Sequence, residues 1–152
     1  MTIVRSTEID AASAAAGHVA EVHHRIAGML RAGLTLAAID AFIAGALSDL
    51  NCRSAFLRYT IPGLPPFPSH SCLSLNNCIV HGTHLMSDKP LEPGDVLSID
   101  IGVLHAGWIG DAAWTYAIET ASREALDLMR CGRESLRRGV AAMQPGRPLM
   151  DW

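Results

Sequence analysis

The chain has 152 residues, 49% of them hydrophobic and 18% charged, with a formal charge of -3. That size and balance suit one globular domain with a real core, and they leave no basic surface for nucleic-acid phosphates and no like-charge tail. No apolar run reaches the roughly 18–20 residues of a membrane span, Glu8 and Asp10 stand where a signal peptide would be apolar, and the dispersed Cys52, Cys72, Cys78 and Cys131 read as reduced thiols. The expectation is a cytoplasmic protein with neither a nucleic-acid nor a membrane partner.

In chain order, Val19, Val22, Ile26, Met29 and Leu30 recur at helical spacing, which predicts an amphipathic helix from Thr7 to Arg31 with Gly33 as its stop. Thr35 caps a second helix with the stripe Ile39, Phe42, Ile43, Ala46, Leu47 and Leu50. Pro62, Gly63, Pro65, Pro66 and Pro68 forbid a regular element and predict a shaped loop. Cys72–Val80 is expected to be a strand, Pro90–Gly94 a turn, and Val96–Val103 with Asp111–Ile118 a hairpin around His105-Ala106-Gly107. A third helix runs from Ser122 through Met143 and ends at Pro145-Gly146; Leu149, Met150, Asp151 and Trp152 then look like the first turn of an element that is cut short. The fold class is α+β, a single unit over residues 1–152 with helices on one face of an antiparallel sheet.

Asp100 interrupts the apolar run Val96, Leu97, Ile99, Ile101, Val103, and Asp111 opens the facing strand. With the turn centred between His105 and Ala106, the two pair directly across the ladder, their Cβ atoms roughly 4.5–5.5 Å apart on one face. A bulge at Gly107 preserves the shared face in a longer loop. Like charges so placed conflict unless a cation lies between them. The alternative is that Asp111 is a turn residue after Gly110 and Asp100 an isolated, hydrogen-bonded acid.

The run Ser74-Leu75-Asn76-Asn77-Cys78-Ile79-Val80-His81-Gly82, then Leu91-Glu92-Pro93-Gly94-Asp95-Val96, Asp100-Ile101-Gly102 and Gly107-Trp108-Ile109-Gly110-Asp111, resembles the type I methionine aminopeptidases in order and spacing. The resemblance extends upstream through Gly63, Phe67, Pro68, Ser71 and Cys72, and it covers the N-terminal portion of a family member. It implies the N-terminal half of a pita-bread fold and removal of the N-terminal methionine from peptides or nascent proteins. Asp100 would be a bidentate ligand of one of two divalent metal ions (cobalt, manganese, iron, zinc or nickel), and Asp111 the carboxylate bridging both. His81 would hydrogen-bond the scissile peptide as a catalytic and substrate-binding group. Leu64, Phe67 and Cys72 would line the methionine pocket, and Thr115 would support the carboxylates. The family's remaining ligands, a histidine and two glutamates, come from its second half, so the chain is expected to be incomplete, weakly active or inactive alone, and prone to self-association. It departs from the family at Thr83-His84, where an aliphatic residue and a proline are usual, at Asn77 in place of an acid, and at Leu64 in place of an aromatic residue.

Two other readings compete. Cys72, Cys78, His81 and His84 could form a zinc site, although their spacing is wider than that of usual zinc knuckles. A non-catalytic peptide- or partner-binding module of the same fold is the functional alternative. His23 and His24 are adjacent on the first helix, so at least one must face solvent, and His105 is simplest as a turn residue.

Overall fold

The computed structural model describes residues 5–148 and 150, so the cut-short turn expected at Leu149, Asp151 and Trp152 lies outside the described residues. The chain divides into two compact units, residues 1–120 and 121–152.

The first unit opens with the two helices that periodicity predicts, α1 (Ser6–Met29) and α2 (Leu36–Asp49). Ala15, Val19, Val22 and Ile26 form the buried stripe of α1. Thr35 caps α2, its hydroxyl accepting from the Ala38 N–H at 3.2 Å, and Leu36, Ile39, Ile43, Ala46 and Leu47 are buried. Four strands follow: β1 (Arg53–Ser54), β2 (Cys72–Leu75), β3 (Val96–His105) and β4 (Trp108–Ala117). All pairings are antiparallel and all involve β3. One edge of β3 takes β4; the other is shared by β2, along Leu97–Asp100, and β1, along Val103–Leu104.

Alternation along β3 decides where the core sits. Leu97, Ile99, Ile101 and Val103 are fully buried and cluster with Val19, Ile26, Ile39, Ile43, Leu47 and Leu73. Burying each such side chain contributes about 1.5–3 kcal/mol. α1 packs on β4 and β3, so closely that a Cβ on Gly110 would overlap the Ala15 carbonyl. His23 is buried in this layer: its Nε2 donates to the Ala112 carbonyl at 3.0 Å, its Nδ1 lies 3.0 Å from the Tyr116 hydroxyl, and its ring stacks on Trp114 at 4.8 Å. His24 is the exposed member of the pair.

Two boundaries differ from the sequence expectation. The strand expected over Cys72–Val80 ends at Leu75, because Asn76 takes a left-handed φ of 51° and bonds the start of β3. Its Oδ1 accepts from the Val96 N–H at 2.9 Å and its Nδ2 donates to Asp95 at 2.8 Å. The hairpin centre falls between Ala106 and Gly107, one residue later than expected. Both turn residues have positive φ, 49° and 84°, the two-residue geometry whose twist matches flanking strands. His105 therefore ends β3 and is not a turn residue.

In the second unit, α3 (Arg123–Ala142) is capped by Ser122, whose hydroxyl accepts from the Ala125 N–H at 3.2 Å, close to the boundaries expected. Glu134 pairs with Arg137 and Arg138, and Leu128, Leu136 and Val140 are exposed. Among the described residues, no helix is long and apolar enough to cross a membrane.

Candidate functional site

The face of β3 opposite the core presents Ser98, Asp100 and Gly102, in register with Thr115, Ala113 and Asp111 of β4. Asp100 and Asp111 thus do not pair directly, as a turn centred one residue earlier would require; they are diagonal neighbours. Moving the centre by one whole residue keeps both on the same face, where diagonal positions are roughly 7–8 Å apart before the side chains lean together. They come close enough for each carboxyl to bear on the other. The Asp100 carboxyl is pushed up to about 6, first by burial and then by the charge and hydrogen bond of Asp111, with partial relief from His81. An isolated acid would feel no such neighbour.

β2 brings Cys72 beside Asp100 in direct register. His81 returns to the same place: its Nδ1 lies 3.9 Å from Cys72 Sγ, and its φ of 58° is unusual for a residue with a side chain. The cause is next in sequence. Gly82 accepts from the Leu73 N–H at 2.8 Å and donates to Ser74 Oγ at 3.2 Å, and a Cβ there would overlap the Leu73 carbonyl oxygen. That tight seat holds His81 beside the carboxylates. Burial first, then the charges of Asp100 and Asp111, push the Cys72 thiol up to about 11, so it is a neutral wall at physiological pH.

Cys72, Cys78, His81 and His84 do not converge as a zinc site would require. His84 Nδ1 is 2.8 Å from Ser69 Oγ, and Cys78 Sγ faces the Val80 carbonyl at 3.6 Å and Met86 at 3.9 Å. His84 belongs to a network around Asp40, a buried carboxylate on α2. Asp40 accepts from His70 Nδ1 at 2.9 Å, from the His70 N–H at 2.9 Å and from the Ser71 N–H at 3.1 Å. It fixes the backbone immediately before β2.

The proline-rich loop reaches the site through an aromatic residue that sequence reasoning passed over. Gly102 faces Phe56 so closely that an added Cβ would come within 2.6 Å of its ring. Phe67 meets Phe56 edge-on at 6.4 Å, and Leu64 is 63% exposed. Thr115 bonds Ser98 across the strands at 2.8 Å on the carboxylate face. Two signals could have pointed to these partners: a glycine inside the apolar strand, marking close approach, and a carboxylate inside the apolar stripe of α2.

Two carboxylates held close together suit a hard or borderline divalent cation, which removes their repulsion and accepts oxygen donors. The donor set therefore fits a divalent metal, which Asp100 and Asp111 could hold.

The profile of metallopeptidase family M24 matches residues 10–152. The chain is 33% identical over 144 residues to methionine aminopeptidase 1 of Mycobacterium tuberculosis, covering 95% of this chain and 52% of that protein. It is 28% identical over 152 residues to methionine aminopeptidase B of Synechocystis, covering 99% and 55%. Among solved structures, methionine aminopeptidase of Thermotoga maritima superposes with a TM-score of 0.87 at 26% identity, over 96% of this chain and 57% of that one. Prolidase of Pyrococcus furiosus, at 18% identity and a TM-score of 0.75 over 95% and 39%, shares the fold. The arrangement is that of the N-terminal half of the pita-bread fold, and the chain spans about half the length of the curated relatives it matches.

Proposed function

Since this chain belongs to metallopeptidase family M24, we propose that its carboxylate face is one side of a metal-dependent aminopeptidase site acting on N-terminal methionine. The observation supporting this reading is the placement of Asp100 and Asp111 as diagonal neighbours on one sheet face, close enough to perturb each other, with His81 beside them. Asp100 and Asp111 would hold divalent metal. When bound, the metal polarises the substrate carbonyl and makes water nucleophilic at neutral pH. His81 hydrogen-bonds the scissile peptide unit and orients it. Phe67, Leu64 and the neutral Cys72 thiol, backed by Phe56, line the methionine side chain. Thr115, tied to Ser98, keeps the sheet surface beside the carboxylates ordered.

By itself the 152-residue chain is a weak enzyme or none, because two carboxylates leave the other coordination positions to water. Exposed Ile79, Val80, Leu85 and Met86 favour self-association. The test is manganese binding by electron paramagnetic resonance, with release of methionine from a Met-Ala peptide assayed under cobalt, manganese or iron(II). Weak manganese binding that disappears in Asp111→Ala, with feeble turnover, is the expected result. Manganese binding indifferent to both Asp100→Ala and Asp111→Ala would end the metal assignment. Robust turnover abolished by Asp111→Ala would overturn the weakness and show that the chain assembles a full site, by dimerising or otherwise.

A further inference from the structure

On the core side of the sheet, away from the carboxylate face, three potential ligands of a softer kind converge. His18 projects from the middle of α1, Cys52 sits between α2 and β1, and His105 ends β3. One donor atom from each lies within 4.8 Å of the other two. Cys52 Sγ is 3.5 Å from His105 Nδ1, and the His18 and His105 rings meet edge-on with centroids 4.5 Å apart. A zinc ion with bonds of about 2.3 Å to sulfur and 2.0–2.1 Å to nitrogen, at tetrahedral angles, needs a sulfur–nitrogen separation of about 3.5 Å. The Cys52–His105 pair meets that requirement, and His18 lies within 4.8 Å of both.

The surroundings are consistent with an ion. Cys52 is buried while both histidines are partly open, and Cys52 also borders a groove of about 540 Å³ lined by Ser54, Leu57, His70 and Leu104, which offers a way in. Burial pushes the Cys52 thiol up, so without a cation it stays protonated and donates to the Leu50 carbonyl at 3.3 Å. Binding would release that proton and exchange this hydrogen bond for a metal–thiolate bond.

We propose that His18, Cys52 and His105 form a second metal site, selective for Zn²⁺ or a metal of similar softness, that staples α1, the α2–β1 junction and the tip of the β3–β4 hairpin. Two imidazoles and a thiolate discriminate against the magnesium, calcium and manganese that carboxylates accept. Water takes the fourth position. The site stands apart from the Asp100–Asp111 reading and would survive its failure.

The experiment uses the whole chain, stripped with chelator and kept reduced, titrated with Co²⁺ and then Zn²⁺. A thiolate-to-cobalt charge-transfer absorption should saturate with a single equivalent, be bleached by zinc, and persist in Asp111→Asn and Cys72→Ser. Zinc should also raise the melting temperature. Cys52→Ser should abolish the absorption, and His18→Gln or His105→Gln should weaken cobalt binding by at least about tenfold. Should Cys52→Ser fail to fold by circular dichroism, His18→Gln decides. Absence of the absorption in the parent chain, its survival in folded Cys52→Ser, its loss in Cys72→Ser, or unchanged affinity in His18→Gln would each overturn the proposal.

Discussion

The two faces of β3 are built from alternate residues of one strand and obey different physics. Leu97, Ile99, Ile101 and Val103 face the helices and are fully buried, whereas Ser98 and Asp100 face the other way, partly open, beside Asp111 and Thr115. The first face stabilises the fold by burial alone. The second holds two carboxylates close together at a cost in stability, which the first face offsets. Position on this sheet is thus set by its apolar, buried side.

The largest test of that contrast is Ile99→Ala. It should lower unfolding free energy by about 2–5 kcal/mol in chemical denaturation, as for other core truncations. Loss of less than this would mean that the helices do not lean on β3 as closely as its burial implies.

Gly102→Ala probes the point where the open face behaves like a core. The new methyl group must displace the Phe56 ring, so a loss of about 1–3 kcal/mol is expected from overpacking. Pairing it with Phe56→Ala should recover part of the loss; simple additivity of the two changes would show that the ring is not what Gly102 accommodates.

Asp100→Asn should have the opposite sign. The Asp100 carboxyl ionises at about 6 in the fold against an ordinary 3.8, so the folded chain holds this proton after the unfolded chain has released it. Stability from this group is therefore present below 3.8 and is lost as pH rises toward 6. In chelator, at neutral pH, the variant should be more stable, on the order of 1 kcal/mol after allowance for solvent screening. A destabilised variant would show that the carboxylates are not in conflict.

The smallest effect belongs to the buried face. His23 has its basicity depressed, chiefly by burial, from the ordinary 6.5. Below that value the unfolded chain takes up the proton first, so stability falls as pH drops below 6.5, opposite in sense to Asp100. His23→Gln should flatten the slope of melting temperature against pH in that window; an unchanged slope would show that the buried imidazole is not its source.

Much of this molecule follows from periodicity. Three- and four-residue spacing located α1 and α2, Ser122 and Pro145-Gly146 bounded α3, and two-residue alternation placed Leu97, Ile99, Ile101 and Val103 on one side and Asp100 on the other, because these patterns are local consequences of backbone geometry. Motif order around His81, Asp100 and Asp111 was likewise sufficient to identify the family. Sequence spacing could not choose the hairpin register, since Ala106-Gly107 and His105-Ala106 are both short enough to turn the chain; the choice depends on which pair adopts positive φ under the twist of β3 and β4. Nor could it bring Asp40 to His70, Phe56 to Gly102, or His18 to Cys52 and His105. Those neighbours lie far apart in the chain, and what joins them is the packing of α1 and α2 on the sheet and the return of the loop across its open face, free energies that no local window contains.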